Sequence, residues 1–252
     1  MTISSQTKKV AAGIFIIISA SFLTAYIYYN GKNKAEDPRI VQTKYMFRRY
    51  DNLLKKNQFT LALPILEKID SIFLAVPGYS DSYERAIVRN NRGSAYLGMA
   101  LYNLQDTVEK AGLLSIAKTN IDSSIAIYNR WLNKYSALSE KELYAHIYPF
   151  FPENNEAFTG KNIKNILKKR VEDLKTAQKE TPRRLSVCYT NMGAILRHQY
   201  KQEEALKNYV KAIELWKDNY TARNNFNVLM GLPPKDRSII NQLFPPDKRN
   251  YN

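Results

Sequence analysis

The alternation of small and large residues between positions 185 and 219 constrains the fold of this chain more than any other feature of its sequence. The residues concerned are Met192, Gly193 and Leu196, followed after a polar stretch by Ala205, Tyr209 and Ala212. Residues three or four positions apart share one face of a helix. Small residues on facing helices allow a close approach, and large residues fill the space that remains. The segment therefore predicts two helices packed as a tight hairpin.

This pattern resembles the tetratricopeptide repeat, a helix-turn-helix unit of about 34 residues. Met192-Gly193 stands at the family's Leu-Gly pair, and Tyr209 stands at its aromatic position. Two departures are that Tyr189 replaces the usual Trp and Lys217 replaces the usual closing proline. The resemblance implies an all-α solenoid of helical hairpins, in which the first helices of successive repeats line a groove for a protein partner.

Two weaker copies of the repeat precede the clear one. Residues 90–102 resemble a first helix, and the second helix after it carries Ala117 and Ser124 at its small positions, with an insertion in the turn. A more degenerate copy covers residues 45–70, with Pro64 inside its second helix. We therefore expect three hairpins rather than one.

One segment interrupts the predicted array of hairpins, and one further helix ends it. Residues 139–180 combine a proline-rich break with an amphipathic helix that does not fit the repeat. Residues 220–231 predict a following first helix that Gly231 ends. The predicted repeat domain covers 39–231, and a Pro-containing tail over 232–252 comes after it.

An apolar run over residues 10–29 carries no charge and predicts a single transmembrane helix, because 20 residues in a helix span about 30 Å. A short basic tail over 1–9 precedes it, and a polar linker over 30–38 comes after it. The alternative is a cleaved signal peptide with its cleavage site at 19–21. The apolar run continues past that site, so we expect a retained anchor.

The side of the membrane on which the domain would lie stays open. Six basic residues in the 20 positions after the apolar run favour a cytoplasmic domain under the positive-inside rule. A short basic tail ahead of an apolar run is, however, also typical of a signal anchor that exports the domain on its carboxyl side.

Charge and composition narrow the function classes. The formal net charge of +15 favours anionic partners, but the basic residues are scattered and the tyrosines follow helical spacing, so we do not expect nucleic-acid binding. One cysteine, Cys188, and two histidines, His146 and His198, make a zinc site or a disulfide framework unexpected. No metalloprotease, P-loop, dinucleotide-binding or nucleophile-elbow motif occurs. We therefore expect no catalytic residue, metal or cofactor.

The resemblance also implies candidate groove residues. Asn91, Asn191 and Asn225 each stand two residues before the glycine position of a first helix, where an asparagine in some relatives holds the backbone of a bound peptide. Arg197, about one and a half turns beyond Asn191, is expected to pair with an acidic residue of the partner. The alternative is that these asparagines have a structural role common to the repeat.

A second candidate surface lies on the amphipathic helix over 161–179, where basic residues flank an apolar stripe. We single out Lys161, Lys164, Lys168, Lys169 and Arg170 as a surface for anionic lipid or an acidic partner. The alternative is a solvated face whose stripe packs on neighbouring repeats.

These observations predict a membrane-tethered, non-enzymatic scaffold or adaptor that binds a protein partner through its groove, alone or as a subunit of a membrane complex. One alternative is a peripheral domain that uses its basic surface on anionic lipid or an acidic partner. Another is an accessory domain for cell-envelope or translocation enzymes.

Overall fold

The computed structural model describes residues 35–102 and 106–234, together with Ile14, Ile18, Ser21 and Thr24. The two long ranges form eight α-helices and no strand. In chain order they are α1 (Gln42–Leu54), α2 (Phe59–Ala75), α3 (Tyr83–Tyr102), α4 (Thr107–Tyr135), α5 (Glu140–Ile147), α6 (Ile163–His198), α7 (Gln202–Leu215) and α8 (Tyr220–Leu229). Two 3-10 turns, Tyr148–Phe150 and Glu156–Phe158, connect α5 to α6. The predicted all-helical class is confirmed.

The fold class needs one correction, which concerns the membrane. No helix formed by the described residues is both long enough and apolar enough to cross a bilayer. The reason is that these helices carry polar or charged residues along the face opposite the core, as in the basic face of α6. The fold class is therefore corrected to an all-α domain with no membrane-spanning helix among the described residues, and the helix predicted over 10–29 is not one of its eight helices. Apart from Ile14, Ile18, Ser21 and Thr24, that segment lies outside the described residues.

Helices α6 and α7 form the hairpin that the small-residue pattern predicts. Gly193 lies against Tyr209, whose ring would overlap any Cβ at the glycine position. Ala205, Tyr209 and Ala212 are completely buried. Because only a glycine allows this approach, the contact fixes how the two helices pack.

The hairpin of α3 and α4 repeats this packing with different side chains. A Cβ at Gly93 would lie 2.5 Å from Cδ1 of Ile121. Ala117 and Ser124, the predicted small positions of the second helix, are completely buried on either side of Ile121. Ile121 thus takes the place that Tyr209 has in the later hairpin.

Three helices end in the same left-handed turn. The residue with positive φ at these ends is Asn57 after α1, Tyr200 after α6 and Gly231 after α8, at 56°, 62° and 72°. In each case the next N–H donates to the carbonyl five residues before it, at 3.0 Å from Gln58 to Leu53, 2.9 Å from Lys201 to Leu196 and 2.8 Å from Leu232 to Asn227. This is the hydrogen bond of a Schellman motif. The shared ending indicates that these helices occupy equivalent positions, and Gly231 ends α8 as predicted.

Helix α6 runs from the predicted interrupting segment into the hairpin with α7 without a break. Its 36 residues pass through Pro182, so the boundary expected near residue 180 does not exist as a helix end. The apolar stripe of its first half is buried, namely Ile166, Leu167, Val171, Leu174 and Ala177. The interrupting segment therefore belongs to the main core.

The folded domain begins before α1. Asp37, which falls in the predicted linker, is buried, and its Oδ1 accepts from the Arg39 backbone N–H at 3.0 Å. The Arg39 guanidinium donates to the Phe150 carbonyl at 2.8 Å and lies 4.5 Å from the ring centre of Phe151. These contacts attach the chain before α1 to the connection between α5 and α6.

Candidate binding site

Helix α3 and the second half of α6 lie side by side and run parallel. Near the start of α3, the Arg184 guanidinium lies 5.2 Å from the ring centre of Tyr83. About two turns further along, Asn191 Nδ2 donates to Asn90 Oδ1 at 3.0 Å and to Ser94 Oγ at 2.9 Å. Arg184 and Asn191 are seven residues apart on α6. Their contacts, Tyr83 and Asn90, are seven residues apart on α3 in the same order, so the two helices run in the same direction.

Helix α8 continues this layer on the other side of α6. Asn219 caps α8, because its Oδ1 accepts from the Ala222 N–H at 3.0 Å. Its Nδ2 donates to Ser186 Oγ and Thr190 Oγ1, both at 2.8 Å. All of these polar atoms are on buried residues and all are paired. The cap of one helix thereby fixes its position against the next.

The three predicted groove asparagines occupy one register on these helices. The residues three positions before them are completely buried in all three cases, namely Val88, Cys188 and Ala222. Asn91, Asn191 and Asn225 themselves are partly buried. Asn191 uses both amide hydrogens to bridge α6 to α3, which is a structural role. The side chains of Asn91 and Asn225 make no hydrogen bond to the described part of the chain.

Arg197 does not share a face with Asn191. Six residues separate them, which places Arg197 about 120° further around the helix. Arg197 instead lines a cavity of about 560 Å³ between the start of α4 and the turn from α6 to α7. Lys110, His198 and Tyr200 line the same cavity. The structure therefore separates the predicted groove into an asparagine register and a distinct end cavity.

The end cavity is electropositive. Its charged lining consists of Lys110 and Arg197, and no carboxylate of the described residues lines it. Burial lowers the pKa of His198 below its usual value, and the nearby Lys110 and Arg197 charges lower it further. Positive charges on two different helices thus face a space that contains no compensating group of residues 35–102 and 106–234.

The five residues predicted to form a basic surface on α6 differ in exposure and in their partners. Lys161, Lys164 and Lys168 are exposed, whereas Lys169 pairs with Asp173. Arg170 is only 6% exposed, so its assignment to a lipid-facing surface is wrong. The helix turns Arg170 inward because it lies one turn after Ile166 and Leu167 on the buried side.

Arg170 is held by a buried ion pair with Glu84, which comes from α3. Its guanidinium also lies 4.2 Å from the ring centre of Tyr79. Burial would raise the pKa of the Glu84 carboxyl, but the Arg170 charge and hydrogen bond outweigh burial and lower that pKa. The pair borders a smaller cavity of about 250 Å³, which Lys169 and Asp173 also line. These charges are matched, which favours a structural role.

The remaining reactive groups have a packing role. Cys188 is completely buried, its Sγ lies 3.3 Å from Ser124 Oγ, and burial raises its pKa to about 12. The ring of His146 packs edge-on against Tyr135 with ring centres 5.2 Å apart. Among the described residues, no three His, Cys, Asp or Glu side chains are grouped so that they could hold a metal ion.

Sequence patterns missed Lys110, His198 and Tyr200, because they reach the cavity from segments that are far apart in the chain. The one local signal is Tyr200, which stands at the left-handed position after α6, where Asn57 stands after α1 and Gly231 after α8. Comparison with protein-family models, with curated proteins and with solved structures finds no match. Function is therefore inferred from the geometry.

Proposed function

We propose that this chain is a non-enzymatic, tetratricopeptide-like adaptor that binds an extended or helical segment of a protein partner along α3, the second half of α6 and α8. The observation that carries this proposal is the shared register of Asn91 and Asn225, whose amides make no hydrogen bond to the described part of the chain, on either side of the bridging Asn191.

An amide side chain suits this role because it both donates and accepts, as a peptide backbone requires. The layer beneath it is rigid, since polar bridges from the partly buried Asn191 and the buried Asn219 hold α6 to both neighbours. A rigid layer lowers the cost of ordering that a partner must overcome on binding. Asn91 and Asn225 would then hold two separate points of one bound segment.

The exposed lysines of α6 support a second candidate, binding to an acidic partner or to anionic lipid. Lys161, Lys164 and Lys168 lie on the solvent side of the helix. Binding of this kind depends on exposed charge, so it weakens as the Debye length falls from about 10 Å at 0.1 M salt to about 3 Å at 1 M. Binding through buried amides and apolar contacts persists at high salt.

The test is purification of the full chain with its native partner, in parallel with an Asn91→Ala/Asn225→Ala variant. We expect the variant to lose affinity by about 1 to 3 kcal/mol for each buried partner group left unpaired, at low and high salt alike. The matched control is Lys168→Gln, which should bind as the parent does. If Lys168→Gln loses the partner, the asparagine variant retains it and high salt releases it, the basic-surface function is favoured instead.

A further inference from the structure

We propose that the end cavity is a second docking site and that it accepts an acidic peptide segment, whose carboxylates pair with Lys110, Arg197 and His198. The inference rests on the proposed function in one respect, namely that the occupant belongs to a protein partner. It adds the chemistry of that partner and a site separate from the asparagine register.

Three acidic residues near the cavity, Asp106, Glu203 and Glu204, are engaged elsewhere, and Glu109 does not line the cavity. The Asp106 carboxylate accepts from the Val108 and Glu109 backbone N–H groups at 2.7 and 3.1 Å and caps α4. On α7, Glu203 pairs with Lys207 at 2.6 Å and Glu204 with Lys201 at 3.8 Å. The sequence over 103–105 contains no acidic residue. An anion from another molecule would therefore be the main counter-charge.

The N-terminus of α7 adds to the positive field, whereas the Asp106 carboxylate already caps that of α4. Thr107 is the first residue of α4 and Gln202 is the first residue of α7, and both line the cavity. Lys201 precedes α7 without a side-chain hydrogen bond that caps the helix. Free N–H groups and the helix dipole favour an anion at such a position.

Tyr200 supplies an apolar contact at the cavity and does so in a strained conformation. Its φ is 62° and its side chain is 89% exposed. A left-handed conformation disfavours a bulky side chain, and no packing within the described residues compensates Tyr200 for it. An exposed aromatic ring that costs stability is typical of a binding residue rather than of a structural one.

The lining favours a peptide over a free inorganic anion. Ala111 and Leu114 form apolar parts of the wall, and Val108 in the first turn of α4 is 81% exposed. A segment that alternates acidic and apolar residues can satisfy both the basic groups and these apolar surfaces. Inorganic phosphate can use only the basic groups.

Binding at this site takes up a proton. The charged groups that act on His198 are Lys110 from α4 and Arg197 from its own helix, both of which disfavour its protonated form, while α7 contributes the neutral Gln202. A bound carboxylate reverses that effect and raises the pKa of His198. Affinity for the acidic segment therefore increases as the pH falls through the pKa that His198 has in the complex, towards the lower pKa that it has in the free protein.

The experiment uses the full chain and a short end-capped peptide of alternating Glu and Leu, with the matching Gln and Leu peptide as the control ligand. Fluorescence anisotropy at about pH 8 and about pH 5.5 gives the dissociation constants. We expect the Glu peptide to bind at least about tenfold more tightly than the Gln peptide, and Arg197→Gln and Lys110→Gln each to weaken it about tenfold. His198→Gln should abolish the gain at low pH.

Two further variants test whether a loss of binding comes from unfolding and whether it is specific to the end cavity. Tyr200→Gly should weaken the Glu peptide while raising the melting temperature by about 2 to 4 °C, which excludes unfolding as the cause of the loss. Lys168→Gln should bind the peptide as the parent does. Equal affinity for the Glu and Gln peptides, binding of inorganic phosphate as tight as that of the Glu peptide, or an equal loss with Lys168→Gln would each overturn the proposal.

The site can fail independently of the proposed function. If the native partner is lost with Asn91→Ala/Asn225→Ala but binds Arg197→Gln normally, the end cavity is not a docking site and the adaptor function stands. If the Glu peptide binds the end cavity while the asparagine variant keeps its native partner, the groove assignment fails instead.

Discussion

Gly193 lies flat against Tyr209, and a Cβ at the glycine would come within 2.7 Å of Cδ1 of the ring. Gly193→Ala should therefore destabilise the domain by about 1 to 3 kcal/mol through overpacking. The matched control is Gly112→Ala in α4, where no atom lies within 4 Å of the added Cβ. That change should stabilise the helix by about 0.5 to 1 kcal/mol. Urea denaturation of both variants gives the comparison, and similar effects at the two glycines would contradict the packing described for the hairpin.

Asn191→Ala should cost about 1 kcal/mol of stability, because it removes two hydrogen bonds between α6 and α3. Asn225→Ala should leave stability nearly unchanged, since its side chain makes no hydrogen bond to residues 35–102 and 106–234. Chemical denaturation separates the two effects. Equal losses of stability would show that Asn225 also has a structural role, which would weaken the proposed groove.

Glu84→Gln should destabilise the domain by about 3 to 5 kcal/mol, because it leaves the Arg170 charge buried without a partner. The folded-state pKa of Glu84 lies below its ordinary value of 4.5. Its contribution to stability is therefore present above pH 4.5 and is lost as the pH falls through the lower folded-state pKa. Denaturation curves of parent and variant should differ most above that pH and converge in acid. A constant difference down to low pH would exclude the ion pair as its source.

Tyr200→Gly should stabilise the fold by about 1 kcal/mol, because glycine adopts positive φ without a steric penalty. Asn57→Gly, at the equivalent position after α1, should give a smaller gain, since asparagine tolerates this conformation better than tyrosine. Thermal unfolding of both variants provides the test. A loss of stability with Tyr200→Gly would mean that the tyrosine ring has a packing role.

Cys188 should resist thiol reagents in the folded protein, because it is completely buried and its pKa is raised to about 12. Labelling at about pH 8 should then depend on unfolding and accelerate in urea with the same midpoint as loss of helix signal. Rapid labelling without denaturant would indicate that the contact between α3, α4 and α6 around Ser124 opens readily.

Local sequence patterns are sufficient to predict how the helical hairpins pack. The spacing of Gly193, Ala205 and Tyr209 predicts their packing, since the residues that meet lie on two helices joined by a short turn. Gly231 is identifiable as a helix end because a left-handed residue is required there. The predicted burial of an apolar stripe on α6 is confirmed for the same reason, as helical periodicity places those side chains on one face.

The sequence by itself determined that the domain is helical and which apolar stripes of its hairpins are buried, because both depend on neighbours within a few positions. Only the tertiary structure decided the partners of the polar groups. Arg170 forms an ion pair with Glu84, 86 residues away, and Asn191 donates a hydrogen bond to Asn90, 101 residues away. It also placed Arg197 beside the same cavity as Lys110 rather than on the face that carries Asn191. Charged and amide side chains carry no periodic signal that identifies a distant partner, so their pairing follows from how the helices pack.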